Sequence, residues 1–250
     1  MAGHSKWKGI KHKKAVIDAQ RGKVFSRVIR EITAAARLGG ANPEGNPRLR
    51  LAIQKGRDAN IPKDSVDKAI KRGTGELPGV SYEEMTIEGY GSGGVAILWE
   101  GLTDNKNRTS AEVRSIFSKH EGNLAGAGSV SWLFHKKGLV TLPSKSVAED
   151  RLMDIVLEAG AEDLKTEGDQ TLVYTDPQHF EAVKQALQRA TLTWESAELT
   201  MIPSTTVKVE NPAQVKSLLT LLDALEEDED TQHVYANFDI PDALLAQQAA

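Results

Sequence analysis

The spacing of apolar residues changes near Ser81, and that change constrains the fold more than any single motif. From about Ala15 to Leu38, Val24, Phe25, Val28, Ile29, Ile32, Ala35 and Ala36 recur on one face at helical spacing. Lys23, Arg27, Arg30 and Arg37 lie opposite, with small Ala34 among them, and Gly39 and Gly40 end the helix. "NPRLRLAIQKGRDAN" opens with an Asn cap and Pro47 at the first helical position; "IPKDSVDKAIKRG" repeats the device with Pro62 and stops at Gly73. Three helices therefore precede a linker, "GTGELPGVS".

Beyond Ser81 the chain alternates strands and helices. "EEMTIEGY" and "GVAILWE" form a hairpin across "GSG". A helix follows from about Arg108 to His120, with Val113, Ile116 and Phe117 inward. "SVSWLF" is expected as a strand and "HKKG" as a turn. Next come "LVTL", a helix in "SVAEDRLMDIVLEAG", strands "AEDLKT" and "QTLVYT", a helix in "PQHFEAVKQALQRA" and the strand "AELTMI". This βαββαβ order is the ferredoxin-like arrangement. "TTVKVE", a helix in "PAQVKSLLTLLDALEE" and "QHVYANF" complete the chain.

The expected fold is α+β and multidomain. Residues 1–78 form a basic all-helical domain, and residues 79–137 plus 203–240 form a discontinuous α+β domain. A ferredoxin-like domain, 138–202, is inserted in the second.

Charge divides along the same line. Residues 1–80 hold 18 Lys+Arg against 7 Asp+Glu, while residues 81–250 hold 13 against 28. Such a split points to a polyanion as the partner of the first part. The plain alternative is two solvated surfaces of opposite sign. The absence of cysteine excludes disulfides and thiol chemistry and fits a reducing cytoplasm. No apolar run approaches the roughly 20 residues of a membrane span, and the start lacks the apolar core of a secretory signal.

The basic excess is densest in "GHSKWKGIKHKKA". Five lysines within Lys6–Lys14 cannot pack together without losing hydration. Phosphates would replace their counterions, and Trp7 could stack on an exposed base. The candidate nucleic-acid contacts are Lys6, Trp7, Lys8, Lys11, Lys13, Lys14, Arg21, Lys23, Arg27 and Arg30. The bland reading is a solubilising tail followed by the solvated face of a helix. "LTDNKNRTSAEVR" offers a secondary anion contact in Asn105, Lys106 and Arg108 at a helix N-terminus. Its plainer account makes Asn107 or Asp104 a cap and leaves Lys106 in water.

Other motifs point to little. The two short helices resemble a helix-turn-helix only in Ala52 and Gly56. Pro62 falls where the second helix should already run, and Asp64 and Asp67 would face phosphates. "GYGSGG" lacks the Gly-Lys-Ser/Thr of a P-loop and reads as a hairpin turn. The six histidines show no ligand spacing, so no metal or cofactor is expected. "EEDED", 226–230, reads as a solvated helix end whose acids oppose the dipole and fray it. That helix buries Val215, Leu218, Leu219, Leu222 and Leu225. No catalytic constellation can be assembled, which favours a binding protein over an enzyme.

"MAGHSKWKGIKHKKAVIDAQRGKVFSRVIREI", "NPRLRLAI", "EGYGSGG", "DNKNRTSAEVRSIFSKHEGNL", "GSVSWLFHKKG", "EAGAED" and "MIPST" together resemble the YebC/PmpR family over nearly the whole chain. The resemblance implies a helical bundle plus two α+β domains, one inserted in the other. It also implies a cytoplasmic DNA-binding transcriptional regulator. Some relatives are described as translational activators, which implies ribosomal RNA or the ribosome as target. The family opening "GHSKW" with its basic stretch attaches this function to Lys6, Trp7, Lys8, Lys11, Lys13 and Lys14. The acidic α+β half is expected to meet a protein partner or to repel nonspecific nucleic acid, with no membrane involved.

Overall fold

The structure is a computed structural model and describes residues 17–241 and 243–245, with side chains from residue 22 onward. Helix α1, Ile17–Gly39, packs on α2, Pro47–Asp58, and α3, Lys63–Gly73. The bundle core is Val28, Ile32, Ala35 and Ala36 of α1 against Leu49, Ala52, Ile61, Val66 and Ala69. Asn46, only 5% exposed, ties two helix ends together. Its Oδ1 accepts from Leu49 N (3.1 Å) at the start of α2. Its Nδ2 donates to Ala35 O (2.8 Å) and Gly40 O (2.9 Å) at the end of α1. At Gly73 an added Cβ would run into Thr33 O and lie 2.8 Å from the Ala36 Cβ, so glycine lets α3 close on α1.

Two expectations change here. Val24 and Phe25, read as inward, are 44% and 38% exposed. The 23-residue α1 outruns its partners of 12 and 11 residues, so among the described residues its early turns meet no part of the bundle core. Pro62 sits outside α3 as its N-cap in extended conformation, and the helix begins at Lys63.

The chain then forms β1, Glu83–Gly91, and β2, Val95–Thr103, followed by α4, Lys106–Lys119, and the short β3, Asn123–Leu124. An inserted unit, Trp132–Thr206, interrupts. It contains β4 (Phe134–Pro143), α5 (Glu149–Glu158), β5 (Ala161–Glu167), β6 (Gln170–Thr175), α6 (Phe180–Arg189) and β7 (Ser196–Pro203). The first sheet resumes with β8 (Val207–Lys208), α7 (Pro212–Glu227), β9 (Thr231–Ala236) and β10 (Phe238–Asp239).

The host sheet has the order β3-β1-β2-β9, all antiparallel, and β8 pairs with β10 in parallel. Helices α4 and α7 supply Val113, Phe117, Val215, Leu218, Leu219, Leu222 and Leu225 to one core with Val95, Ile97 and Trp99. Trp99 Nε1 donates to Thr231 Oγ1 at 2.6 Å, which satisfies its buried N–H. The inserted unit has the order β5-β6-β4-β7, antiparallel throughout, as a ferredoxin-like βαββαβ unit requires.

The junction into that unit differs from expectation. Ser131–Leu133 is a 3₁₀ turn, not the end of a strand, and "HKKG" lies inside β4. Gly138 is glycine because Thr175 and Phe180 crowd the strand there: a Cβ would run into Thr175 Oγ1 and lie 2.5 Å from the Phe180 ring. His135 and Lys136 are exposed on a stretch of β4 paired only with β7, so their polarity marks a half-open strand.

Candidate nucleic-acid interface

Lys6, Trp7, Lys8, Lys11, Lys13 and Lys14 lie outside the described residues, as does the side chain of Arg21. The basic stripe that continues them along α1 divides. Lys23 is exposed. Arg27 and Arg30 turn instead to the acidic end of α7. Arg27 Nη2 donates to Glu226 O, and Arg30 Nη1 donates to Glu229 O. Arg30 Nη1 also lies 2.9 Å from Asp230 Oδ1, and its guanidinium stands 5.5 Å from the centre of the Tyr82 ring. Arg37 is exposed and, with Arg72, borders a shallow hollow of about 180 Å³. A neighbouring hollow of about 260 Å³ is lined by Ile29, Thr33, Pro78, Val80 and Tyr82. Arg37 and Arg72 sit in the last turns of α1 and α3, where cations offset the helix dipoles.

Two oddities of the sequence thus resolve each other. The stripe's two central arginines turn toward acids 226–230, and α7 stays helical through Glu227. Glu226 is in the last turn of α7, where carbonyls lack intrahelical donors. Arg27 supplies a donor to the Glu226 carbonyl, and Arg30 binds Glu229 O just beyond the helix, so both bring positive charge to that end.

Asp230 is the centre of this joint. Its side chain is 3% exposed. Oδ2 accepts from Arg108 Nη2 (2.6 Å) and from the Thr109 hydroxyl (2.5 Å). Burial alone would raise its pKa. Hydrogen bonds from Thr109, Arg108 and Thr103 outweigh burial and hold it below the ordinary carboxylate value. Neighbouring Asp228 is shifted the other way, upward, chiefly by burial. Burial likewise lowers the pKa of Arg27, against the Glu226 and Asp228 carboxylates.

The three residues of the expected secondary anion contact are exposed, and each already has a partner within the protein. Asn105 itself is the N-cap of α4, its Oδ1 accepting from Arg108 N at 3.1 Å, rather than Asn107 or Asp104. Lys106 pairs with Glu83 at 2.5 Å. Arg108 is held by Asp104 (3.0 Å) as well as Asp230. Asn105, Lys106 and Arg108 have thus each found an internal partner, which spacing along the sequence did not reveal.

Exposed cations remain on the bundle. Lys23, Lys55, Arg57, Lys63, Lys68 and Lys71 make no ion pair with another described residue. Arg48 is committed to Glu31 (2.7 Å) and Glu84. Asp64 and Asp67 are exposed on α3, which is therefore a poor helix for groove insertion. Gly91–Gly94 is the hairpin turn, with Gly93 and Gly94 at φ 79° and 75°. Among the described residues no group of three His, Asp or Glu could hold a metal ion, and no helix is long and apolar enough to cross a membrane.

A further anchor escaped sequence reading. The Glu88 carboxylate accepts from the backbone N–H groups of Gly128 (2.7 Å), Val130 (2.6 Å) and Ser131 (3.0 Å). Burial would raise its pKa, and those three donors bring it below the usual range. A glutamate on an otherwise ordinary strand gives no local sign of this role.

Comparisons with known proteins agree over the full length. Residues 5–76 match the family model "TACO1/YebC protein N-terminal domain", and residues 82–238 match "TACO1/YebC second and third domain". A "Probable transcriptional regulatory protein" of Geobacter sulfurreducens is 55% identical over 240 residues, covering 96% of each chain. One of the same name from Acidithiobacillus ferrooxidans is 55% identical over 250 residues, covering 100% of this chain and 99% of its own. The crystal structure of the conserved hypothetical protein Aq1575 of Aquifex aeolicus superposes with a TM-score of 0.82 at 48% identity. That match covers 93% of this chain and 96% of Aq1575.

Proposed function

Because the chain belongs to the TACO1/YebC family, we propose that it is a cytoplasmic, non-enzymatic regulator of transcription that binds DNA through its basic N-terminal region. The supporting observation is how the cations are partitioned. Five lysines of the arm precede a bundle whose exposed Lys23, Lys55, Arg57, Lys63, Lys68 and Lys71 have no ion-pair partner among the described residues. The rest of the chain carries the acidic excess. Lys6, Lys8, Lys11, Lys13 and Lys14 exchange counterions for phosphates, Trp7 packs on a base, and Arg21 and Lys23 extend the track onto α1. Phosphate contacts of this kind supply affinity and position, not sequence readout. The acidic α+β half repels stray nucleic acid and offers a surface to a protein partner.

One observation favours a second reading, a translation factor bound to ribosomal RNA. Helix α3 exposes Asp64 and Asp67, so the bundle presents no good recognition helix for a duplex groove. A lysine-rich arm with one aromatic suits splayed RNA bases.

The test is retention of the purified protein on a promoter duplex, a structured RNA and whole ribosomes at two salt concentrations. Sequence-dependent retention on duplex supports transcription. Co-sedimentation with ribosomes at physiological salt supports translation. Retention on none of the three refutes both.

A further inference from the structure

We propose that the face of α1 carrying Arg27 and Arg30 is a second phosphate-binding surface, held closed by the segment Glu226–Asp230 and opened when nucleic acid displaces it. This inference rests on the nucleic-acid reading above and adds how the site is regulated.

The segment shows what the surface recognises. Two guanidiniums three residues apart on one helix receive a row of oxygens: the carbonyls of Glu226 and Glu229 and Oδ1 of Asp230. A phosphodiester strand presents the same chemistry, anionic oxygens in series, to which guanidinium donates strongly. Lys23 lies one turn before Arg27 and is exposed. A strand that engages the arm and Lys23 is therefore delivered at high local concentration to the next cations along the helix.

The joint can open without leaving a buried charge alone. When Arg30 departs, Asp230 keeps Arg108 at 2.6 Å and Thr109 at 2.5 Å. Breaking a buried pair is costly when one partner is left uncompensated, and here it is not. The Glu229 side chain is 92% exposed. The bundle core and the sheet core are separate apolar clusters. Charged contacts join them, Arg27 and Arg30 on one side and Arg48 between Glu31 and Glu84 on another. Such contacts yield to a competing polyanion more readily than apolar packing does.

Hydrogen exchange of the full-length protein, with and without a 30-base-pair DNA duplex or a structured RNA hairpin, tests the opening. Exchange of the amides of residues 226–231 should rise on binding. The variant Arg27→Gln/Arg30→Gln tests the contact: the slope of log affinity against log salt on the duplex should flatten by about 2, near 0.9 for each lost phosphate contact. Both results are required. Unchanged exchange shows a permanent joint, an unchanged slope shows that the arginines never meet phosphate, and either overturns the proposal. Should the double variant fail to fold, Glu229→Lys replaces it. It should tighten binding of both probes several-fold, whereas the same charge change at exposed Asp154 should not; equal effects would overturn the proposal. If the unaltered protein binds neither probe, the nucleic-acid reading falls and this inference with it. Failure of the competition alone leaves binding intact.

Discussion

The Arg30 guanidinium stands 2.9 Å from the Asp230 carboxylate, across 200 positions of sequence. The pair joins the bundle to the acidic end of α7, and Arg108 shares the same carboxylate from α4. Asp230→Ala removes the buried anion that the two arginines share, leaving Arg108 with Asp104 and Arg30 with exposed Glu229. It should destabilise the protein by about 1.5–3 kcal/mol, the usual loss of hydrogen bonds to a charged group. Urea unfolding followed by circular dichroism measures this. A loss below about 1 kcal/mol would show that the joint contributes little.

The same residue sets an acid limb. Asp230 has a folded pKa below its ordinary 3.8. Its contribution is therefore present above about 3.8 and is lost as pH falls through the lower folded value. Glu88 acts with the same sign from its ordinary value of 4.5. Asp228, whose pKa is raised, works oppositely: its contribution is full in acid and disappears as pH rises through the folded value. Midpoints of thermal unfolding should drop on acidification, and Asp230→Asn should flatten that drop. Parallel curves for variant and wild type would assign the limb to other carboxylates.

Glu88→Gln replaces a carboxylate that accepts three backbone N–H groups with an amide that accepts through one oxygen. The expected loss is about 1–3 kcal/mol. Amide exchange should quicken at Gly128, Val130 and Ser131 and stay unchanged in α7. Uniform quickening would indicate a global effect instead.

Gly138→Ala drives a Cβ to 2.5 Å from the Phe180 ring. Overpacking of this kind costs about 1–3 kcal/mol. Pairing the change with Phe180→Leu should recover part of the loss, and additive losses would place the strain on the Thr175 hydroxyl, the other atom the Cβ meets.

Lys11→Ala/Lys13→Ala/Lys14→Ala should weaken nucleic-acid binding and flatten the salt slope by about 3, at roughly 0.9 per phosphate contact. Lys106→Ala, at a side chain already paired with Glu83, should leave the slope where it was. The reverse pattern would move the interface from the arm to the α4 loop.

Much of the architecture is legible in single residues. Val215, Leu218, Leu219, Leu222 and Leu225 mark the buried side of α7 by spacing alone. Asn46 before Pro47 marks a helix start, although its second role, closing α1, depends on a contact no local pattern encodes. The strand β4 was obscured because Lys136, Lys137 and Gly138 carry turn-like composition. One is a glycine for packing reasons, and Lys137 pairs across to Glu162 at 2.7 Å. The α1 stripe misled for a different reason. A helical pattern separates apolar from charged faces, but it does not tell water from an oppositely charged segment some 200 residues away. Arg27 and Arg30 match that segment in charge, and only the folded chain brings them to it.

The strands that lead into and out of the inserted unit run side by side, Phe134 opposite Pro203, with Ser204 N donating to Leu133 O at 2.8 Å. The host sheet therefore sees the whole cassette as if it were a short hairpin. Its loop-closure entropy is settled by the cassette's own folding, not by the length of chain between Ser131 and Val207. A few glycines bridging that gap should leave the host sheet able to fold, which makes the cassette a part that can be exchanged or removed.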